Sequence, residues 1–177
     1  MKKVTQKNYF SILGIGLLCF FAGVFLGFLF YQFFSSQSAA LIDKYKIIQS
    51  IFGIREYEPS MEYMKVFWVI FAANLVSTLG YFALGYLRLL IPISLVTGFF
   101  IIVFLLSGLI RHETSTIPAE VIILVSWESL YRILALATGE YVQKNRLKRK
   151  YVLIISSVLV LGLFLGAVFY ELRIIFT

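Results

Sequence analysis

The chain of 177 residues is 60% hydrophobic and 18% aromatic, with only 14% charged residues and a net charge of +7. Those proportions lie far outside soluble averages and exclude an ordinary water-soluble domain. The basic residues sit in short loops between apolar runs, so they read as membrane-orienting charge rather than as a nucleic-acid surface.

A membrane helix needs about 20 apolar residues in succession. Five segments meet this, and the expected fold is all-α: a polytopic helix bundle, multi-pass in the cell membrane, forming one integral membrane domain over 1–177. The first segment, 10–34, is too long for a signal-peptide core and lacks a small-residue cleavage site, so it is expected to be retained. Its Cys19, the only cysteine, lies in a plain apolar run and reads as a small buried hydrophobe. The second, 66–87, carries Asn74, Ser77, Thr78 and Tyr81 on one face. The third is 91–110, with Arg88 and Pro92 marking the tight connection before it. The fourth, 117–137, is less apolar because it holds Glu120, Glu128 and Arg132. The fifth is 151–169.

Loop charge orients these spans. The N-terminus, 1–9, carries Lys2, Lys3 and Lys7, and the loop 141–150 contains "KNRLKRK". Four crossings separate the two clusters, so they share a side, which the positive-inside rule makes cytoplasmic. The C-terminus then lies outside. A re-entrant fourth segment would leave one basic cluster outside, against the rule. In the loop 35–65, placed outside, Asp43, Glu56, Glu58 and Glu62 balance Lys44, Lys46, Arg55 and Lys65. Leu41, Tyr45, Ile48 and Phe52 recur there at helical spacing. They predict an amphipathic helix, lying on the outer membrane surface or packed on the bundle.

"GVFLGFLFYQ", from Gly23, and "GLFLGAVFYE", from Gly162, share six identities. Each contains Gly-x-x-x-Gly, at Gly23 and Gly27 and at Gly162 and Gly166, which predicts close helix approach. A weak internal repeat is one reading of the match; chance in a chain rich in Phe, Leu and Gly is the other.

A charge at mid-bilayer costs roughly 2.5–3.5 kcal/mol on insertion scales, so it is expected to face protein or water. Glu128 and Arg132 stand i,i+4 in the favourable order. They read as a structural ion pair or as part of a solute or proton path. At about 1.5 Å per residue, Asn74 lies roughly 12 Å and Glu128 roughly 16 Å from the outer boundary, and Thr97 roughly 9 Å from the inner one. In a core about 30 Å thick these depths predict a buried polar cluster of Asn74, Thr97, Glu120, Glu128 and Arg132.

The stretch "RHETSTIPAE" opens the fourth span. Pro118 suits a first helical turn, with Thr116 or Thr114 as N-cap, and Glu120 then sits beside the positive end of the helix dipole. His112 reads as a loop bystander at the rim. One His and one Cys make no metal set, and His-Glu-x-x-His, Gly-x-Ser-x-Gly and Walker A patterns are missing. No catalytic residue, metal or cofactor is expected.

Four short patterns in order resemble the stage II sporulation protein M family of integral membrane proteins, from about Val66 to Thr177. "FAANLVSTLGYFALG" resembles the family's Asn-bearing span, with Asn74 at the Asn. "LVTGFF" resembles its Asn-Gly, with Thr97 replacing the Asn and Gly98 standing. "HETSTIPA" resembles its His-Gly-x-x-Glu-x-Pro-Ala at His112, Pro118 and Ala119, with Glu113 at the Gly and Thr116 at the Glu. "GAVFYELRIIFT" resembles its ending, with Glu171 at the acidic residue. The resemblance implies a multi-pass protein; sporulating members act with cell-wall hydrolases at the septal membrane.

Two functions are compatible with these features. The first is a non-enzymatic scaffold for membrane or cell-envelope partners, in contact with membrane lipid, with protein partners of unknown identity and a homo-oligomer among its forms. The second is a small transport subunit with a mid-membrane polar solute or proton site.

Overall fold

The structure, a computed structural model, describes residues 8–51, 61–111, 116–145 and 150–176. Lys2, Lys3 and Lys7, Phe52, Arg55, Glu56 and Glu58, His112 to Thr114, and Arg146 to Arg149 lie outside the described residues.

Six helices follow in chain order: α1 (Tyr9–Phe33), α2 (Ser35–Ile51), α3 (Tyr63–Tyr86), α4 (Leu90–Arg111), α5 (Ala119–Asn145) and α6 (Lys150–Phe176). All but α2 are long and apolar enough to cross a membrane. The described residues form no strand.

Helix α5 is the axis of the bundle and touches α1, α3, α4 and α6. It has the lowest mean hydropathy of the five long helices, 1.6, and the largest buried share, 44%. The two facts have one cause. A helix surrounded by other helices meets protein on most sides, so polar groups on it can find partners. The outer helices must satisfy hydrocarbon instead. Phe10, Phe21, Phe25, Trp68, Val76, Ile155 and Val158 all stand exposed on them. Such an apolar exterior is what a lipid-solvated bundle carries and water would penalise.

Two parallel pairs make up most of the packing, α1 with α4 and α3 with α5. Glycine sets the distance in both. A Cβ on Gly23 would collide with the backbone of Leu95, and one on Gly27 with Phe99 and Ile102. Gly98 returns the contact from α4 against Phe20. In the second pair, Gly85 lies on the Leu136 carbonyl and Gly139 on Phe82 and Tyr86. Helix α6 runs antiparallel to α5, with Gly166 opposite Trp127 and Phe164 against Tyr131.

The ends agree with this arrangement. Tyr9 at the start of α1 meets Thr138 and Tyr141 near the end of α5, while Tyr63 at the start of α3 meets Phe176 at the end of α6. Two apolar clusters fill the bundle: one runs from Val66, Ile70 and Leu172 to Tyr131 and Phe164 at mid-length, and the other joins Tyr9, Ile12, Leu90, Leu136 and Tyr141.

The α3–α4 connection is a tight C-cap. Arg88 N–H donates to Gly85 O at 2.8 Å and Leu89 N–H to Leu84 O at 3.0 Å. This pairing needs a left-handed residue, and Arg88 adopts it with φ 65°. Its Nε reaches Gln143 at 2.6 Å.

Several boundaries move from the sequence reading. Helix α5 continues past Ala137 to Asn145, so the start of the presumed loop 141–150 is helical. Its polar residues are satisfied within the helix: Thr138 bonds Leu134 O, Asn145 bonds Tyr141 O, and Lys144 pairs with Glu140. Hydropathy marks where apolar residues stop, not where the backbone ladder does. Helix α6 likewise continues past Phe169 to Phe176.

Among the described side chains of α2 the buried ones are Ser38 and Ile42, and Tyr45 packs its ring on Phe100 of α4 at 4.8 Å. The helix is therefore packed on the bundle through a face one residue round from Leu41.

Gly23 and Gly27 lie against the α4 backbone, whereas an added Cβ at Gly162 would meet nothing within 4 Å. A Cβ added at Gly166 would fall 2.6 Å from the Trp127 ring rather than on a neighbouring backbone. The two similar decapeptides thus occupy different environments.

Candidate functional site: a polar hub between three helices

Asn74 is buried on α3, where the helix faces α5 and α6. Its local backbone is fixed by Thr78, whose hydroxyl donates to Asn74 O at 2.7 Å. The side-chain amide is bonded at both ends. Its Oδ1 accepts from Tyr131 Oη at 3.0 Å and from Arg132 Nη2 at 3.0 Å, and its Nδ2 donates to Glu171 Oε2 at 3.4 Å. One carboxamide therefore joins α3 to α5 twice and to α6 once.

Arg132 Nη2 also pairs with Glu128 Oε2 at 3.1 Å, one turn back on α5. The guanidinium lies beside the Tyr131 ring, with its carbon 5.7 Å from the ring centroid. Arg132 Nε is buried without an acceptor. The hub contains two carboxyls, one guanidinium, one phenol and one amide. An isolated charge at mid-bilayer would cost roughly 2.5–3.5 kcal/mol, and the pairing of Glu128 with Arg132 offsets part of that cost for both.

Of the expected cluster, Asn74, Glu128 and Arg132 come together. Thr97 is buried but belongs to a neighbouring pair: its hydroxyl donates to Ile93 O at 2.7 Å and meets Tyr81 Oη at 2.8 Å. Glu120 is a correction. It is exposed in the first turn of α5, beside a cleft shared with Pro118, Val121, Tyr170, Arg173 and Ile174. Eight residues of helix leave Glu120 about 80° away from Glu128, enough to turn it off the hub's face.

The start of α5 is corrected too. Pro118 is the capping residue, its carbonyl accepting from Val121 N–H at 3.1 Å and Ile122 N–H at 3.3 Å, while Thr116 is exposed. Ala119 is the first helical residue and His112 lies outside the described residues. Gly98 serves helix packing against Phe20.

The expected polar cluster left out two members of the hub, Glu171, named only through the family resemblance, and Tyr131. Glu171 fell beyond the expected end of the fifth span, at 169. With α6 continuing to Phe176, it lies about 8 Å inside that end and opposite α5. Antiparallel depth counting with the longer helix would have found it. Tyr131 carried no signal beyond its adjacency to Arg132.

Among the described residues, no group of three or more His, Cys, Asp or Glu is placed to hold a metal. Compared with family models, curated proteins and solved structures, the chain matches none.

Proposed function

We propose that this chain is a five-pass cell-membrane protein of the stage II sporulation protein M type, and that it acts as a non-enzymatic scaffold organising membrane or envelope partners. Its N-terminus is inside, its C-terminus outside, and α2 lies on the outer side. The two parallel pairs and the antiparallel α6 are compatible with alternating crossings and support this reading. The basic N-terminus and the basic stretch before α6 then share the cytoplasmic face, in keeping with the positive-inside rule.

The observation that carries the scaffold reading is the hub itself. Asn74 turns its polar atoms to Tyr131, Arg132 and Glu171, so the intramembrane polar groups fix three helices in one arrangement. A rigid bundle presents its loops and α2 in a constant geometry, which is what docking partners require. Two of the cavities among the helices are apolar, one lined by Leu75, Leu79, Phe82 and Leu161 and the other by Leu17, Phe21, Ile101 and Leu130. They suit acyl chains of the surrounding lipid.

The experiment is a pair of measurements on the full chain. Purified from native membranes, it should bring down the same partner proteins reproducibly, and deleting it should release those partners from the membrane complex. In proteoliposomes it should show no flux of protons or small solutes. Flux that disappears in Arg132→Leu would overturn the scaffold in favour of a transport subunit.

A further inference from the structure

We infer that α2 is a re-entrant helix: it enters the bilayer from the outer end of α1, brings Tyr45 to mid-depth, and carries Asp43 and Lys44 into the outer leaflet. The inference rests on the five-pass reading and is independent of the scaffold role.

Connectivity is the first reason. Tyr9 at the start of α1 meets Thr138 and Tyr141 near the end of α5, so α1 ends where α5 begins. Helix α3 runs parallel to α5 and starts at that same end. The chain between α1 and α3 therefore leaves the bundle and rejoins it on one side. Helix α2 lies in that stretch, separated from α1 by Phe34 alone. It has 17 residues, Asp43, Lys44 and Lys46 among them, and is not one of the helices long and apolar enough to cross.

Depth is the second. The rings of Tyr45 and Phe100 have their centroids 4.8 Å apart. Phe100 stands at the middle of α4 (Leu90–Arg111), roughly 15 Å from either end at about 1.5 Å per residue. A helix lying in the interface buries its apolar face only about 5–10 Å deep. The Tyr45 ring lies deeper than such a helix reaches. Ser38 and Ile42, 0% and 1% exposed, stand with Tyr45 at i, i+4 and i+7. One continuous stripe of α2 is therefore seated on the bundle.

The charges of α2 then have a consequence. Asp43 and Lys44 adjoin Tyr45 in sequence, turn off its stripe and are exposed. Hydrocarbon does not solvate them. A lysine stem can snorkel towards the interface, but an aspartate is too short to do so. Charges below the interface are met by local thinning of the bilayer and by water. Water and lipid headgroups are thus drawn down along the outward face of α2, which forms a wetted groove in the outer leaflet.

Electron paramagnetic resonance of nitroxide labels on the full chain in phospholipid bilayers, in a Cys19→Ser background, tests this. Collision rates with oxygen and with a water-soluble nickel complex report the depth of each label. Val96→Cys and Ile110→Cys, both exposed on α4, mark the middle and the outer boundary. Ser36→Cys should report a depth near that of Ile110, and Ile47→Cys one near that of Val96; both positions are exposed. Equal, shallow depths at Ser36 and Ile47 would overturn the inference and leave the five-pass reading intact. A Val96 label no deeper than the Ile110 label would remove that reading and the inference with it. Ala40→Cys, one turn from Asp43 and Lys44, should collide with the nickel complex, and the rate should fall when Asp43→Asn and Lys44→Gln are added. A rate unchanged by neutralisation would overturn the wetted groove.

Discussion

Arg132 on α5 donates from Nη2 to the side-chain oxygen of Asn74 on α3 at 3.0 Å, and the same nitrogen faces Glu128 at 3.1 Å. A cation is thereby shared between an acid on its own helix and an amide on the next. Removing the amide tests how much that sharing holds. Asn74→Leu leaves the Tyr131 hydroxyl and one Arg132 donor short of an acceptor, at about 1–3 kcal/mol for each buried group. The melting temperature in detergent should fall. An unchanged melt would show that these bonds do not stabilise the bundle.

The glycines divide into tight and open positions. Gly85→Ala and Gly139→Ala push α3 and α5 apart and should each cost about 1–3 kcal/mol by overpacking. Gly162→Ala fills open space on a helix and should stabilise by up to about 1 kcal/mol through helix propensity. Thermal unfolding of the three variants side by side checks the ordering.

At the α3–α4 turn, Arg88→Gly and Arg88→Ala both lose the bond to Gln143. Only Ala keeps the left-handed strain, so Arg88→Gly should be the more stable by about 1 kcal/mol. Equal stability would mean that the turn relaxes out of its φ of 65°.

Orientation in the membrane is checked by cysteine labelling in a Cys19→Ser background. Ser36 and Arg88 are both exposed. Ser36→Cys should react with an impermeant thiol reagent applied to intact cells, and Arg88→Cys only after permeabilisation. The reverse pattern would invert the proposed topology.

The spans were legible because hydrocarbon demands apolar side chains over a fixed length, and runs such as 10–34 and 91–110 record that demand directly. The centre of the bundle was legible only by its weakness as a span. Glu128 and Arg132 lower the hydropathy of α5, and the same charges require the protein surroundings that make α5 the axis. Helix ends were the poorest part. Helix α5 outlasts its apolar run, with Thr138 and Asn145 bonding carbonyls of their own helix, and Glu171 enters the hub because α6 likewise runs on to Phe176. Glycine spacing points to Gly23 and Gly27, which lie against α4. It could not separate Gly162, which faces open space, because the motif records small size and not what lies opposite.

The central claim is that an intramembrane polar hub, organised on Arg132, ties α5 into the bundle. Equilibrium unfolding of Arg132→Leu, Glu128→Leu and the double variant in lipid measures it most directly. Arg132→Leu alone leaves the half-buried Glu128 without its counter-charge and should cost at most the roughly 3–5 kcal/mol of a fully buried pair. The double variant should regain most of that loss, because both charges are gone. An Arg132→Leu protein as stable as the wild type would contradict the account, and so would a double variant whose loss equals the sum of the two singles.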